Sequence, residues 1–127
     1  MRPFEESLQA GPHAALARLE GAWAGTARTW FAPGAPPSDV SPIYASIRAV
    51  LGGRFALLEY EGALGGKPLQ GLLLLGHDLA LGLTQAAWAD SFHTGTGILY
   101  SEGTRGTPAL DVRGSYVAPL PEGEQRW

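Results

Sequence analysis

Glycine and proline interrupt this sequence at short intervals, and that feature restricts the possible folds more than any other. The chain has 18 glycines and 10 prolines among 127 residues. From Ala22 onward they separate short runs of aromatic and aliphatic residues. Such frequent interruptions disfavour a helical bundle and favour short strands joined by turns. The pattern predicts strands at 22–31, 42–50, 54–62, 69–77, 81–89, 94–101, 108–113 and 115–118.

The connections between these runs are short, and no long helical pattern lies between them. Parallel strands need long crossover connections, so an antiparallel up-and-down meander is predicted. A meander of about eight strands closes into a barrel or folds into a sandwich. The chain is 45% hydrophobic and 17% charged, which is typical of a folded domain. We therefore expect an all-β barrel that forms a single domain over residues 1–127.

The N-terminal stretch carries the one helix signal. Gly11 offers a cap and Pro12 suits the first helical position. Apolar residues at helical spacing follow as far as Leu19. The pattern predicts a short helix over about 12–20 that covers one end of the barrel. His13 is expected on the exposed side of this helix. The functional alternative is that the helix acts as a lid or plug.

Alternation along the strands divides their side chains between two faces. Over 43–50, isoleucine and alanine alternate with polar residues, which places Arg48 on the face opposite Ile47. Glu59 and Glu61 also share one face; such a pair can act as acid and base but is more often solvated. If Arg48 points inward, it needs one of these carboxylates or an acidic ligand as its partner. The alternative is an outward Arg48 paired on the surface.

Four consecutive leucines, Leu72 to Leu75, place two side chains on each face of their strand. A barrel interior accommodates one pair, and the other pair needs cover from a helix or a second subunit. Full cover of two leucines stabilises by about 3–6 kcal/mol. The run therefore predicts a homodimer whose contact includes Leu73 or Leu74.

Composition excludes several classes of function. A formal net charge of −3 gives no electrostatic drive toward nucleic acid. The absence of cysteine excludes disulfides, zinc–thiolate sites and thiol nucleophiles. No apolar run approaches the ~20 residues that span a bilayer. The acidic N-terminus is unlike a signal peptide, so we expect a cytoplasmic protein.

The sequence has one Lys, three Ile and no Asn. Because the codons of these residues are AT-rich, their scarcity indicates a GC-rich bacterial genome.

Several short motifs occur in a recognisable order. Residues 19–25 have the pattern L-x-G-x-W-x-G and open the first strand. In that motif Gly21 and Gly25 allow close approach of neighbouring chain, and we expect Trp23 to plug the barrel base. The later motifs are Arg48, 51–55, 60–62, Gly71, 76–78 and 88–91.

This order, over roughly residues 13–116, resembles the bacterial family called domain of unknown function 1579, which is similar to lipocalin-like and nitrobindin-like small β-barrels. The resemblance implies a closed antiparallel barrel and no assigned activity. His77 stands where the family commonly has tyrosine, and the chain ends earlier than family members usually do. Nitrobindin-like barrels ligate haem through a histidine near the C-terminus; no histidine follows His93 here, so the resemblance does not extend to haem.

Catalytic and metal-binding patterns are weak. His77 and Asp78 end one strand while Asp90 and His93 end another, and these four would form a metal site only if the two strand ends met. Asp90, Ser91 and His93 are too close along one strand to form a hydrolase triad without a sharp bend, and the G-x-S-x-G motif is absent. We predict no metal site and no cofactor, and no catalytic motif identifies an enzyme.

The leading functional hypothesis is a protein that binds a small apolar or weakly acidic molecule inside the barrel. One alternative is an enzyme in which a histidine of the barrel lumen, His77 or His93, acts as general base. Another is a structural homodimer with a filled barrel. The residues predicted to form the ligand-binding wall are Trp30, Arg48, Tyr60, Trp88 and His93.

Overall fold

The computed structural model describes residues 3–106 and 112–114, together with the backbone of 117–120 and 123–126. Two short helices precede the strands, and a 3-10 turn at Leu51–Gly53 joins the second strand to the third. The helices are α1 (Pro3–Ala10) and α2 (Pro12–Ala17). The strands are β1 (Gly21–Thr29), β2 (Asp39–Val50), β3 (Phe55–Leu64), β4 (Lys67–Asp78), β5 (Leu83–Asp90), β6 (Leu99–Glu102), β7 (Val117–Leu120) and β8 (Gly123–Arg126).

The first six strands form one antiparallel sheet in chain order, and β7 and β8 form a separate hairpin. The predicted all-β antiparallel meander is therefore confirmed. The predicted closed barrel of eight strands is wrong for the described residues, because their sheet has six strands and no pairing joins β1 to β6. The strand predicted at 94–101 begins only at Leu99, since residues 91–97 form turns. The strand predicted at 108–113 lies mostly outside the described residues.

The N-terminal region has two helices where the sequence predicted one. Gly11 is the N-cap of α2 and Pro12 its first residue, as predicted, but the helix ends at Ala17. The prediction that His13 is exposed is wrong, because only 3% of its surface is accessible. The unpredicted helix α1 covers it, and Ser7 Oγ lies 2.7 Å from His13 Nδ1.

Helix α2 packs on one face of the sheet, here called the inner face. Leu16 from α2 enters a buried cluster with Ile47, Ala56, Leu75 and Ala86, one from each of β2 to β5. The strand register brings Ala56, Leu75 and Ala86 side by side in one cross-strand row. The core therefore lies at the end of the inner face that the helices cover, here called the covered end.

The opposite, outer face carries the alternate residues. Arg48 lies there with Nη2 3.7 Å from Glu59 Oε1, and both side chains are more than half exposed. Of the leucine run, Leu75 is buried in the core and Leu73 packs against it, whereas Leu72 is 44% exposed on the outer face. Of the two leucines predicted for a dimer contact, Leu73 thus lies on the inner face and Leu74 on the outer face. No helix among the described residues is long and apolar enough to cross a membrane.

Candidate functional site

Beyond the covered end, the inner face continues to an open end over which no described helix lies. Strand pairing places one residue from each of five strands in a row across it. Large and small residues alternate along this row, so bulky side chains can lie over their small neighbours. The row consists of Trp23, Ala45, Tyr60, Gly71 and Asp90.

Gly71 determines where the Tyr60 side chain lies. Tyr60 and Gly71 are direct cross-strand partners, and a Cβ atom at Gly71 would overlap the tyrosine ring. The ring therefore lies over β4 in the space that glycine leaves. This position carries the Tyr60 hydroxyl across β4 to side chains of β5.

The Tyr60 hydroxyl takes part in two hydrogen bonds. Trp88 Nε1 donates to it at 2.8 Å, and the hydroxyl donates to Asp90 Oδ2 at 3.4 Å. Burial raises the pKa of Tyr60 above its ordinary value; the Trp88 bond lowers it, and the Asp90 carboxylate raises it. Tyr60 thus stays protonated and acts as a neutral link between the indole and the carboxylate.

Asp90 ends β5 and organises the turn that follows. Its Oδ1 accepts hydrogen bonds from the backbone N–H groups of Phe92, His93 and Thr94, an arrangement typical of aspartate after a strand. Burial alone would raise the pKa of Asp90, but the hydrogen bonds from His93 and Thr94 together outweigh it and lower the pKa. The carboxylate is therefore ionised at neutral pH although its side chain is fully buried.

His93 returns from this turn to the same carboxylate. Its Nδ1 contacts Asp90 Oδ2, and 31% of the side chain is exposed. The imidazole lies 5.4 Å from the Trp88 ring and 4.9 Å, edge to face, from Phe92. Tyr60, Trp88, Asp90 and His93 thus form one connected group, here called the Asp90 cluster.

The structure brings three of the five predicted wall residues together, since Tyr60, Trp88 and His93 all belong to the Asp90 cluster. Arg48 lies on the outer face, which agrees with the outward alternative. Trp30 follows β1 and is 49% exposed, with no hydrogen bond or ring contact to the cluster. Trp23, expected to plug the barrel base, is half-exposed on the inner face and donates from Nε1 to the Leu19 carbonyl at 2.8 Å.

The two histidine–aspartate pairs do not meet. Gly71 pairs with Asp90 at one end of β4, and His77 pairs with Thr84 near the other end, six residues along the strand. At ~3.3 Å per residue the two pairs are about 20 Å apart. The described residues contain no group of three potential metal ligands.

The covered end has a smaller polar site beside the core. A cavity of about 380 Å³ is lined by His13, His77 and Arg54, among others. The His13 and His77 rings lie 6.4 Å apart, and the Arg54 guanidinium lies 4.3 Å from the centre of the Phe4 ring. Burial lowers the pKa of His13, and the nearby His77 lowers it further. This histidine is therefore neutral and holds α1 and α2 together.

An open groove of about 690 Å³ crosses the sheet near the Asp90 cluster. Most of its lining side chains belong to the outer face, among them Tyr44, Leu72, Glu59 and Glu61. One glutamate is paired with Arg48, which leaves a net negative charge. The groove thus shares Asp90 with the open end and adds the carboxylates of Glu59 and Glu61.

Sequence reasoning missed how Asp90 and Gly71 act. An aspartate at a strand end is expected to form turn hydrogen bonds, as Asp90 does, but its contacts with Tyr60 and His93 were not predicted. Two signals were present in the sequence: Asp90 precedes a Ser/Thr/Gly-rich stretch, as turn-forming aspartates do, and an isolated glycine within a strand indicates close approach of another group.

The comparisons with known proteins give one match. A family model described as "Protein of unknown function (DUF1579)" matches residues 9–127. No curated protein and no solved structure matches the chain.

Proposed function

We propose that this chain, which belongs to the DUF1579 family of proteins of unknown function, binds a small, mostly apolar and weakly acidic molecule at the open end of its inner face. The observation that carries the proposal is the Asp90 cluster. It combines two partly exposed aromatic side chains, Trp88 and His93, with a buried carboxylate that contacts His93 directly and is linked to Trp88 through Tyr60. Binding sites for small molecules typically pair apolar walls with a few fixed polar groups.

The cluster is rigid before any ligand arrives. Asp90 is held by three backbone N–H groups, Tyr60 by Asp90, and Trp88 by Tyr60. Side chains already fixed in position lose little conformational entropy on binding, so more of the contact energy is available for affinity. Such order on an uncovered surface supports a binding role for this end of the sheet.

The proposal is tested by ligand retention and by a matched pair of tryptophan variants. Native mass spectrometry after gentle purification should show the polypeptide with a small molecule retained. With decanoic acid as the probe, Trp88→Ala should weaken binding about tenfold, a loss of ~1.4 kcal/mol. Trp30→Ala should bind like the wild type, because Trp30 has no contact with the cluster. A bare polypeptide mass together with no decanoic acid binding by the wild type would overturn the proposal.

A second candidate function is an enzyme that uses His93 as a general base. The contact between Asp90 and His93 favours it, because a buried carboxylate that orients a partly exposed imidazole is a common catalytic arrangement. His93→Ala should then abolish any turnover found, whereas His77→Ala, at the other end of β4, should retain it. Full activity in His93→Ala would exclude this candidate.

A further inference from the structure

We infer that the Nε2 atom of His93 recognises the ligand, and that the matching ligand group is a phenolic hydroxyl. This inference rests on the proposed function, since it names the head group for the same site. It follows from asking which polar atoms of the Asp90 cluster still lack a partner.

The other polar groups of the cluster are already engaged. The Trp88 N–H donates to Tyr60, and the Tyr60 hydroxyl both accepts that bond and donates to Asp90. Asp90 accepts backbone N–H groups at Oδ1 and contacts Tyr60 and His93 at Oδ2. His93 uses Nδ1, and no hydrogen bond joins its Nε2 to any described residue.

Asp90 also determines the chemical character of this Nε2. An ionised carboxylate only accepts hydrogen bonds, so the tautomer of His93 that fits the contact carries its hydrogen on Nδ1, facing Asp90. In that tautomer the lone pair is on Nε2, which is an acceptor for a donor on the ligand. Residues 91–97 contain no Asp, Glu, Lys or Arg, and Asp90 is the titratable group in contact with the ring.

A phenolic hydroxyl fits this acceptor better than an alcohol or an ether. A phenol is a stronger hydrogen-bond donor than an alcohol because its O–H is more acidic, and an ether has no O–H to donate. The ligand O–H donates to Nε2, and no covalent bond forms or breaks.

The aromatic neighbours determine what is attached to this head group. Trp88 lies on one side of the imidazole, and Phe92, which is 51% exposed, meets it edge to face on another. An apolar body attached to the hydroxyl can cover both rings while the head group reaches Nε2. The site therefore favours an amphiphile with one acidic end.

The test compares 4-hexylphenol with its methyl ether, 4-hexylanisole, by calorimetric titration of the full chain. The ether keeps the apolar body and removes only the donated proton. Because the methyl ether lacks the one donated hydrogen bond, the phenol should bind about three- to tenfold more tightly.

His93→Phe tests the residue itself, since it keeps an aromatic ring and removes Nε2. In this variant the phenol should bind no better than the ether; His77→Phe is the matched control and should keep the preference. Nitrogen NMR of the His93 ring should show the Nε2 signal shifting when the phenol binds, and a much smaller shift with the ether.

The outcomes separate the two proposals. If phenol and ether bind equally to the wild type, or if His93→Phe keeps the preference, the inference about Nε2 is wrong and the binding site itself stands. If neither compound binds, the proposed function fails and the inference fails with it.

Discussion

The two ends of the inner face are built from the same strands but differ in what lies over them. At the covered end, Leu16 of α2 closes the cluster around Ala56 and Leu75, which are 1% and 3% exposed. At the open end, hydrogen bonds through Asp90 order the side chains while leaving Trp88 and His93 partly accessible. The comparison shows that burial supplies stability at one end, and that polar links supply order without burial at the other.

Two histidines show the same difference. His13 at the covered end meets Ser7 Oγ, and burial lowers its pKa. His93 at the open end meets the Asp90 carboxylate instead. One histidine is thus a buried structural link, and the other keeps 31% of its side chain exposed.

The largest effect should come from truncating the covered end. Leu75→Ala removes a buried side chain from the core and should lower the free energy of unfolding by about 2–5 kcal/mol. Leu72→Ala on the outer face of the same strand should cost much less, since that side chain is 44% exposed. Urea denaturation of both variants measures the difference, and equal losses would contradict the assignment of the two faces.

The next largest loss of stability should come from filling the space that Gly71 leaves over β4. Gly71→Ala places a Cβ atom within the Tyr60 ring and should destabilise by about 1–3 kcal/mol. It should also shift the NMR signals of Trp88 and His93, because Tyr60 can no longer reach them. Gly76→Ala is the matched variant, where a Cβ atom would lie 2.7 Å from the Phe55 ring. It should also destabilise but leave both signals in place.

As the pH falls, the first loss of stability should come from His13 at the covered end. The folded chain holds the pKa of His13 below the ordinary 6.5, so the unfolded chain binds this proton more readily. The stability linked to His13 is therefore fully present above pH 6.5 and is lost as the pH falls through the lower, folded value. Asp90 has its pKa below the ordinary 3.8, so its contribution is lost only in stronger acid. Urea denaturation between pH 7 and 5 should show a decline that His13→Gln reduces; an unchanged decline would contradict this assignment.

The homodimer stays a prediction, and Leu72 is the most exposed leucine of the run, on the outer face. Leu72→Glu should give monomers in sedimentation if Leu72 lies in the contact, with little loss of stability in each subunit. Val40→Glu, at a 57% exposed position on β2, is the control for an added charge. A wild type that sediments as a monomer would rule the dimer out.

The smallest change in the free energy of unfolding should come from breaking the surface pair of Arg48 and Glu59. Arg48→Ala breaks an exposed contact with Glu59 and should change the free energy of unfolding by less than about 1 kcal/mol. Its affinity for decanoic acid should equal that of the wild type, because Arg48 lies on the outer face. A marked loss of affinity would move the binding site to the outer groove.

The sequence alone determined the local features. Alternation fixed which residues share a face, so Ile47 and Arg48 were separated correctly, and glycine and proline marked most strand limits because their backbone preferences are intrinsic. Only the tertiary structure decided which face α2 covers, and with it the burial of His13 and the outward position of Arg48. It also decided that Tyr60 meets Asp90 across Gly71, because that contact depends on the register of three strands. Pairing register and packing depend on residues distant in the chain, which no short stretch of sequence specifies.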